Sequence, residues 1–193
     1  IALQYVQSFD GLVFSFPFEK SICPEGQMHE GEVSTNYGLM GIPALSEEIM
    51  LKRDLKLLEY TGGKLHIPCI STKESVELIK EAKKNKMNVT CSVSINNLFF
   101  NDEKLKNFDT RFKVLPPIRS EDHRKALIKG VNDGTIDFVT SDHSPIDIDN
   151  KKTDFVNSLF GSTGLESLFG ALNSLRIVHK SFFRSFISFI PRF

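Results

Sequence analysis

Short apolar, β-prone runs alternate with helix-length stretches along this chain, and helices packed on a parallel sheet satisfy that pattern. Residues 12–16 (Leu-Val-Phe-Ser-Phe) form the first run, bounded by Asp10-Gly11 and Pro17. Residues 65–69, 88–93 and 135–139 supply three more, with Pro68 placed near the end of its strand. Between them, Ser46 can cap a helix over residues 47–58, with acids in its first turn and Gly62-Gly63 as its stop. Ser71-Thr-Lys-Glu74 has capping-box spacing, and Val76, Ile79 and Ala82 then mark one helical face. Ser120-Glu-Asp opens another helix that ends near Asp133-Gly134, and a last one starts at Gly164. Prolines keep residues 114–118 extended, and a Gly-rich polar loop is expected from Pro17 to about Pro43.

Four β/α units are half of the eight that close a barrel, so the expected fold is α/β, a partial (β/α)8 barrel. A half barrel leaves two unpaired sheet edges. The first residues, Ile1-Ala-Leu-Gln-Tyr5, read as the middle of a helix, which points to an N-terminally truncated fragment. Residues 1–175 form the barrel portion. Residues 176–193 form an atypical tail holding five of the chain's 17 Phe among Ser and Arg. That tail reads as the anomalous end of a truncated or frameshifted reading frame, or as a docking segment.

Charge excludes some functions. Lys+Arg and Asp+Glu both total 24, so nothing favours a nucleic acid or an anionic membrane. No apolar run is long enough to span a bilayer, and no secretory leader opens the sequence. Cys23, Cys69 and Cys91 lack the spacing of a zinc site or a disulfide framework, and fit reduced thiols in the cytoplasm.

The segment Thr140-Ser-Asp-His-Ser-Pro145 places a carboxylate, Asp142, where the last apolar run meets a loop. In a β/α barrel that end of the strand carries the chemistry. Asp142 and His143 read either as a general base with its partner or as a structural motif whose carboxylate accepts amide hydrogen bonds from the next turn. His29-Glu-Gly-Glu-Val-Ser34, Gly38-Leu-Met-Gly-Ile-Pro43, Arg53-Asp54 and Glu59-Tyr-Thr-Gly-Gly63 precede it. Leu65-His-Ile-Pro-Cys-Ile-Ser-Thr72, Asp109-Thr-Arg-Phe-Lys-Val-Leu-Pro-Pro-Ile-Arg119 and Asp133-Gly-Thr-Ile-Asp137 follow those in order. Together these motifs resemble the C-terminal half of class I-like dihydroorotases, in the amidohydrolase superfamily, from Ile1 to about Leu172.

The resemblance implies hydrolysis of a cyclic amide in pyrimidine biosynthesis, with zinc as cofactor and Asp142 as metal ligand and catalytic group. It also exposes departures. Phe16 stands where the family has a metal-binding histidine, and Cys69 where it has a second. Asn96-Asn97 replace a pair of histidines. Leu115 stands in place of a substrate-binding asparagine, and Ile146 in place of a substrate-binding histidine. A phenyl ring cannot bind zinc, and a lone Cys in an apolar strand is commonly a small buried hydrophobe. His66 reads as a packing histidine of the strand body. The acidic stretch of Asp147, Asp149 and Asp154, with Lys151 and Lys152, reads as a solvated loop.

Two functional readings follow. One is a dihydroorotase keeping at most one zinc ion. The other is a non-catalytic, dihydroorotase-like scaffold that holds aspartate carbamoyltransferase, with no bound metal. Under either, the first partner is the missing N-terminal half of the chain's own barrel.

Overall fold

A computed structural model describes residues 1–175 of the chain; the Phe-rich tail at 176–193 lies outside the described residues. The elements run in the order α1 (Ala2–Val6), β1 (Val13–Phe14), β2 (Met28–His29), α2 (Glu32–Tyr37), β3 (Gly41–Ile42), α3 (Leu45–Thr61) and β4 (Leu65–Ile67). Then come α4 (Lys73–Lys84), β5 (Val89–Ser94), α5 (Ile95–Phe99), α6 (Glu121–Asn132), β6 (Phe138–Thr140), α7 (Ile148–Lys151) and α8 (Leu168–Ser174).

Four of the strands form one parallel sheet in the order β1-β4-β5-β6. Helices supply the crossovers that parallel pairing demands, so the sheet is part of an α/β barrel. Side chains alternate across it with a period of two. Val13, Leu65, Ile67, Val89, Cys91, Val93 and Val139 pack with the helices, against Leu51, Leu55, Ile79, Leu127 and Val131. The opposite face carries Phe14, His66, Thr90, Ser92 and Phe138. There Phe14 and Phe138 flank the His66 ring at 4.8 and 5.9 Å, and the ring also contacts the Thr90 and Ser92 hydroxyls. Phe14 is 66% and Phe138 42% exposed on that face.

The helices follow their apolar spacing. On α4, Val76, Ile79 and Ala82 are buried as their spacing predicts. Thr72 caps this helix by accepting from the Ser75 amide, so the expected box opening at Ser71 is shifted by one residue. On α3 the expected cap also differs: the helix starts at Leu45, and Ser46 donates to the Pro43 carbonyl inside the first turn. Its stop is as expected, because Gly62 takes a φ of 70° that side chains resist. The expected loop between residues 17 and 43 contains α2 and a small parallel sheet of β2 and β3. Two-residue strands have no periodicity to read.

Ser71 is unavailable as a cap because it belongs to a buried polar network. The Glu47 carboxylate on α3 accepts from the Ser71 and Thr72 amides at 2.8 and 3.2 Å. It also accepts from the hydroxyls of Ser71, Thr72 and Ser75. Arg119, equally buried, lies 3.8 Å from it and donates to the Ser71 hydroxyl and the Ile42 carbonyl. The remaining Arg119 contact is to His29 Nδ1 at 3.2 Å. Burial, with the neighbouring Arg119 charge, holds the His29 imidazole at about 3, so it is neutral in the folded protein.

Removing one member of a buried ion pair leaves an uncompensated charge. Glu47→Ala is therefore expected to cost about 3–5 kcal/mol in urea unfolding; a loss below about 1 kcal/mol would show that the network carries little. Stability is also expected to fall on acidification. Below about pH 6.5 the unfolded chain protonates His29 while the folded chain does not, so the unfolded state binds more protons. At pH 5 this one residue should cost about 2 kcal/mol, and His29→Gln should remove that share of the pH dependence.

Candidate functional site

Parallel strands bring their C-terminal ends to one rim, and the residues singled out by sequence are distributed around it. Phe16 follows β1, Cys69 follows β4, Asn96 and Asn97 open α5 directly after β5, and Asp142 follows β6. Leu115 and Ile146 stand in the flanking loops, both partly buried.

Two of these positions share an unusual backbone. Cys69 has a φ of 53° and Asp142 a φ of 48°, both in the left-handed region that residues other than glycine adopt only under constraint. For Cys69 the constraint is visible. Its amide donates to the Ser92 hydroxyl at 3.2 Å, the Ile70 amide donates to the Ser92 carbonyl at 2.9 Å, and Glu47 fixes the two residues beyond. The sequence reading extended the strand through Cys69; pairing instead ends at Ile67 because this turn intervenes.

The thiol and the carboxyl sit near one another. Cys69 Sγ lies 3.6 Å from the Thr140 hydroxyl, two residues before Asp142. Burial, reinforced by the Asp142 charge, pushes the Cys69 thiol up to about 11, so it stays protonated near neutral pH. Burial also raises the Asp142 carboxyl above the usual range, and a hydrogen bond from Ser94 partly offsets it. Ser94, on the neighbouring strand, is thus the hydroxyl beside the Asp142 carboxyl. It is the His143 ring that accepts backbone amides, those of Gly164 and Leu165 at 3.3 and 3.4 Å.

Ring contacts, packing and hydrogen bonds engage Phe16, Ile146, Asn96 and Asn97. Phe16, 39% exposed, has the Phe18 ring beside it at 6.3 Å. Ile146 packs against Gly161, where an added Cβ would fall 2.8 Å from its Cγ1. Asn96 donates to the Ser162 hydroxyl and Asn97 to the Pro117 carbonyl, so both tie down neighbouring loops while Ser94 caps α5. Lys151 is not free in solvent as its acidic neighbourhood suggested. Its ammonium donates to the carbonyls of Thr110, Lys113 and Leu159.

Sequence reasoning missed Ser94 and Thr140, the groups closest to Asp142 and Cys69. The period-two run of hydroxyls at 90, 92 and 94 was the available signal. What the cluster offers is one carboxyl, one protonated thiol and two hydroxyls. Among the described residues, no three His, Cys, Asp or Glu side chains converge to hold a metal ion. A zinc site ordinarily uses at least three protein ligands, so these residues alone do not fit one. No helix among the described residues is long and apolar enough to cross a membrane.

Known proteins resemble the chain both in sequence and in fold. Residues 5–75 match the family model described as dihydro-orotase-like. A dihydroorotase of Thermoanaerobacter sp. (strain X514) is 42% identical over 175 residues, 91% of this chain and 41% of that protein. The dihydroorotase of Carboxydothermus hydrogenoformans is 39% identical over 93% of the chain and 42% of its own length. Among solved structures, L-hydantoinase from Arthrobacter aurescens superposes with a TM-score of 0.76 at 21% identity, over 88% of this chain and 39% of that one. Dihydroorotase from Saccharomyces cerevisiae, in complex with 5-fluoroorotic acid, gives 0.68 at 17% identity, over 91% and 48%. The structural likenesses establish the fold, and the sequence relatives establish the kinship. The chain is similar to dihydroorotases along most of its own length and spans about two fifths of the length of the relatives it matches.

Proposed function

We propose that this chain is part of a dihydroorotase-type barrel of pyrimidine biosynthesis, descended from a cyclic amidohydrolase, in which the hydrolytic site has been dismantled. The observation that carries this reading is the rim itself. Asp142 keeps its place at the end of β6, while the positions that would complete a zinc site and a substrate clamp hold Phe16, Cys69, Leu115 and Ile146. Zinc would supply a bound hydroxide and polarise the amide carbonyl. Of the rim positions Phe16, Cys69, Leu115, Asp142 and Ile146, Asp142 supplies the carboxylate that could hold it. At its position Cys69 offers a lone thiol in place of an imidazole. Without a hydrogen-bonding group at Leu115 or Ile146, an anionic cyclic amide would lose contacts worth roughly 1–3 kcal/mol each, more where charge is involved. Losses of that size together reduce turnover by orders of magnitude.

The barrel then serves as a cytoplasmic, non-catalytic scaffold for aspartate carbamoyltransferase. Its exposed inner face, with Phe14 and Phe138, is covered by the remaining β/α units of the same barrel. A second reading, a surviving one-metal hydrolase, is favoured by a single observation: Asp142 retains a constrained backbone and a half-buried carboxyl on the rim. Its other ligands would come from the part of the barrel that this chain does not span.

The test is zinc content and dihydroorotate turnover of the full-length protein. We expect less than one zinc per chain, no turnover, and co-purification with a carbamoyltransferase. Turnover that Asp142→Asn abolishes would overturn the scaffold reading and establish the hydrolase. Cys69→Ser is expected to leave metal content unchanged; loss of bound metal in that variant would make Cys69 a ligand.

A further inference from the structure

The N-terminus of α4 is capped from outside its own helix. Beyond the Thr72 cap, the Lys73 amide donates to Nδ1 of His123, the third residue of α6, at 3.0 Å. That bond requires Nδ1 to be an acceptor, which places the ring's proton on Nε2. Glu74 Oε2 lies 3.6 Å from the same Nδ1, and this oxygen is buried without a hydrogen-bond partner. Two acceptors therefore face each other across a short gap, and one amide proton serves only one of them.

We propose that His123 is a proton-operated latch between α6 and α4, with Glu74 as the acceptor that receives it. In the neutral ring, Nδ1 holds the Lys73 amide and the helices are tied by that bond. A proton on Nδ1 converts it from acceptor to donor, so the Lys73 bond is lost. The new N–H points to the one unpartnered buried carboxylate oxygen beside it, Glu74 Oε2. The exchange trades a helix cap for an ion pair and loosens the first turn of α4 directly after the Cys69 strand end.

Every element packed around the ring contributes a group to the balance. Glu74 and Lys73 face it from α4, Glu47 from α3, Arg119 from the segment leading into α6, and His29 edge-on from β2 at 5.4 Å. Burial lowers the His123 pKa, the Glu74 carboxylate opposes that, and the Arg119 and Lys73 charges add to it. The latch is thus closed at neutral pH and opens in acid.

Hydrogen exchange of the full chain, read at the Lys73 amide and corrected for intrinsic rates from pH 8 to pH 5, tests this. Protection at Lys73 should be flat near neutrality and then fall by about tenfold per pH unit below the His123 midpoint, as single-proton linkage requires. Ile79, in the middle of the same helix, reports global unfolding; in a His29→Gln background, which removes the acid loss expected from that residue, Lys73 should lose more protection than Ile79 does. Glu74→Gln should move the onset to lower pH, because the receiving charge is gone and an amide donor now favours the neutral ring. His123→Gln, whose carbonyl can still accept from Lys73, should keep the protection and abolish its pH dependence. The latch is refuted if, in the His29→Gln background, Lys73 loses no more protection than Ile79, if Glu74→Gln leaves the onset in place, or if the Lys73 protection still titrates in His123→Gln.

Discussion

One buried carboxylate organises the upper half of this molecule. Glu47 leaves α3 and ends on the turn between β4 and α4, where two amides and three hydroxyls converge on it. A charge removed from water this completely is tolerable only when its lone pairs are satisfied and a counter-charge is close, and Arg119 meets the second condition. The guanidinium in turn reaches the Ile42 carbonyl and the His29 ring, so the network joins α3, the turn after β4, the small β2–β3 sheet and the segment leading into α6. Rim residues are aimed by this framework. Cys69 sits two residues from Ser71, and its turn is held from one side by Glu47 and from the other by Ser92.

A second pair of buried charges shapes the loops beyond β6. Lys113 donates to Gln27, Phe155 and Val156 and lies over the rings of Phe155 and Phe160. With Lys151 on its three carbonyls, it pins the excursion between β6 and α8 to the segment at 110–113. Neither ammonium has a carboxylate among these partners. Both are lowered in pKa by burial, and carbonyl dipoles do the work of counter-ions. This is why a stretch rich in Asp and Lys, which reads as solvated loop, is structured: its Lys151 points inward.

The architecture was legible because it rests on periodicity. Val76, Ile79 and Ala82 announce the buried face of α4, Gly62 the end of α3, and the alternating apolar runs the parallel sheet. What stayed hidden depends on contacts between residues distant in sequence. Ser46 and Ser71 look like caps, and only the three-dimensional position of Glu47 and Pro43 redirects their hydroxyls. The rim was legible as a set of positions through its motifs, which placed Phe16, Cys69 and Asp142 at strand ends. Its chemistry was not. Ser94, beside Asp142, comes from the adjacent strand, and Thr140, the neighbour of Cys69, from two strands away; register decides such pairs.

The left-handed turns at Cys69 and Asp142 limit what these positions can become. A backbone near φ 50° tolerates Gly, Asn, Asp or His with little strain and resists β-branched residues such as Val, Ile or Thr. Drift at the two strand ends is therefore channelled toward a narrow alphabet, and much of that alphabet can bind metals. Cys69 stands outside that set, so its main chain holds a conformation its own side chain does not favour. A change there to Asn, Asp or His would relieve strain and add a polar group to the rim in one step.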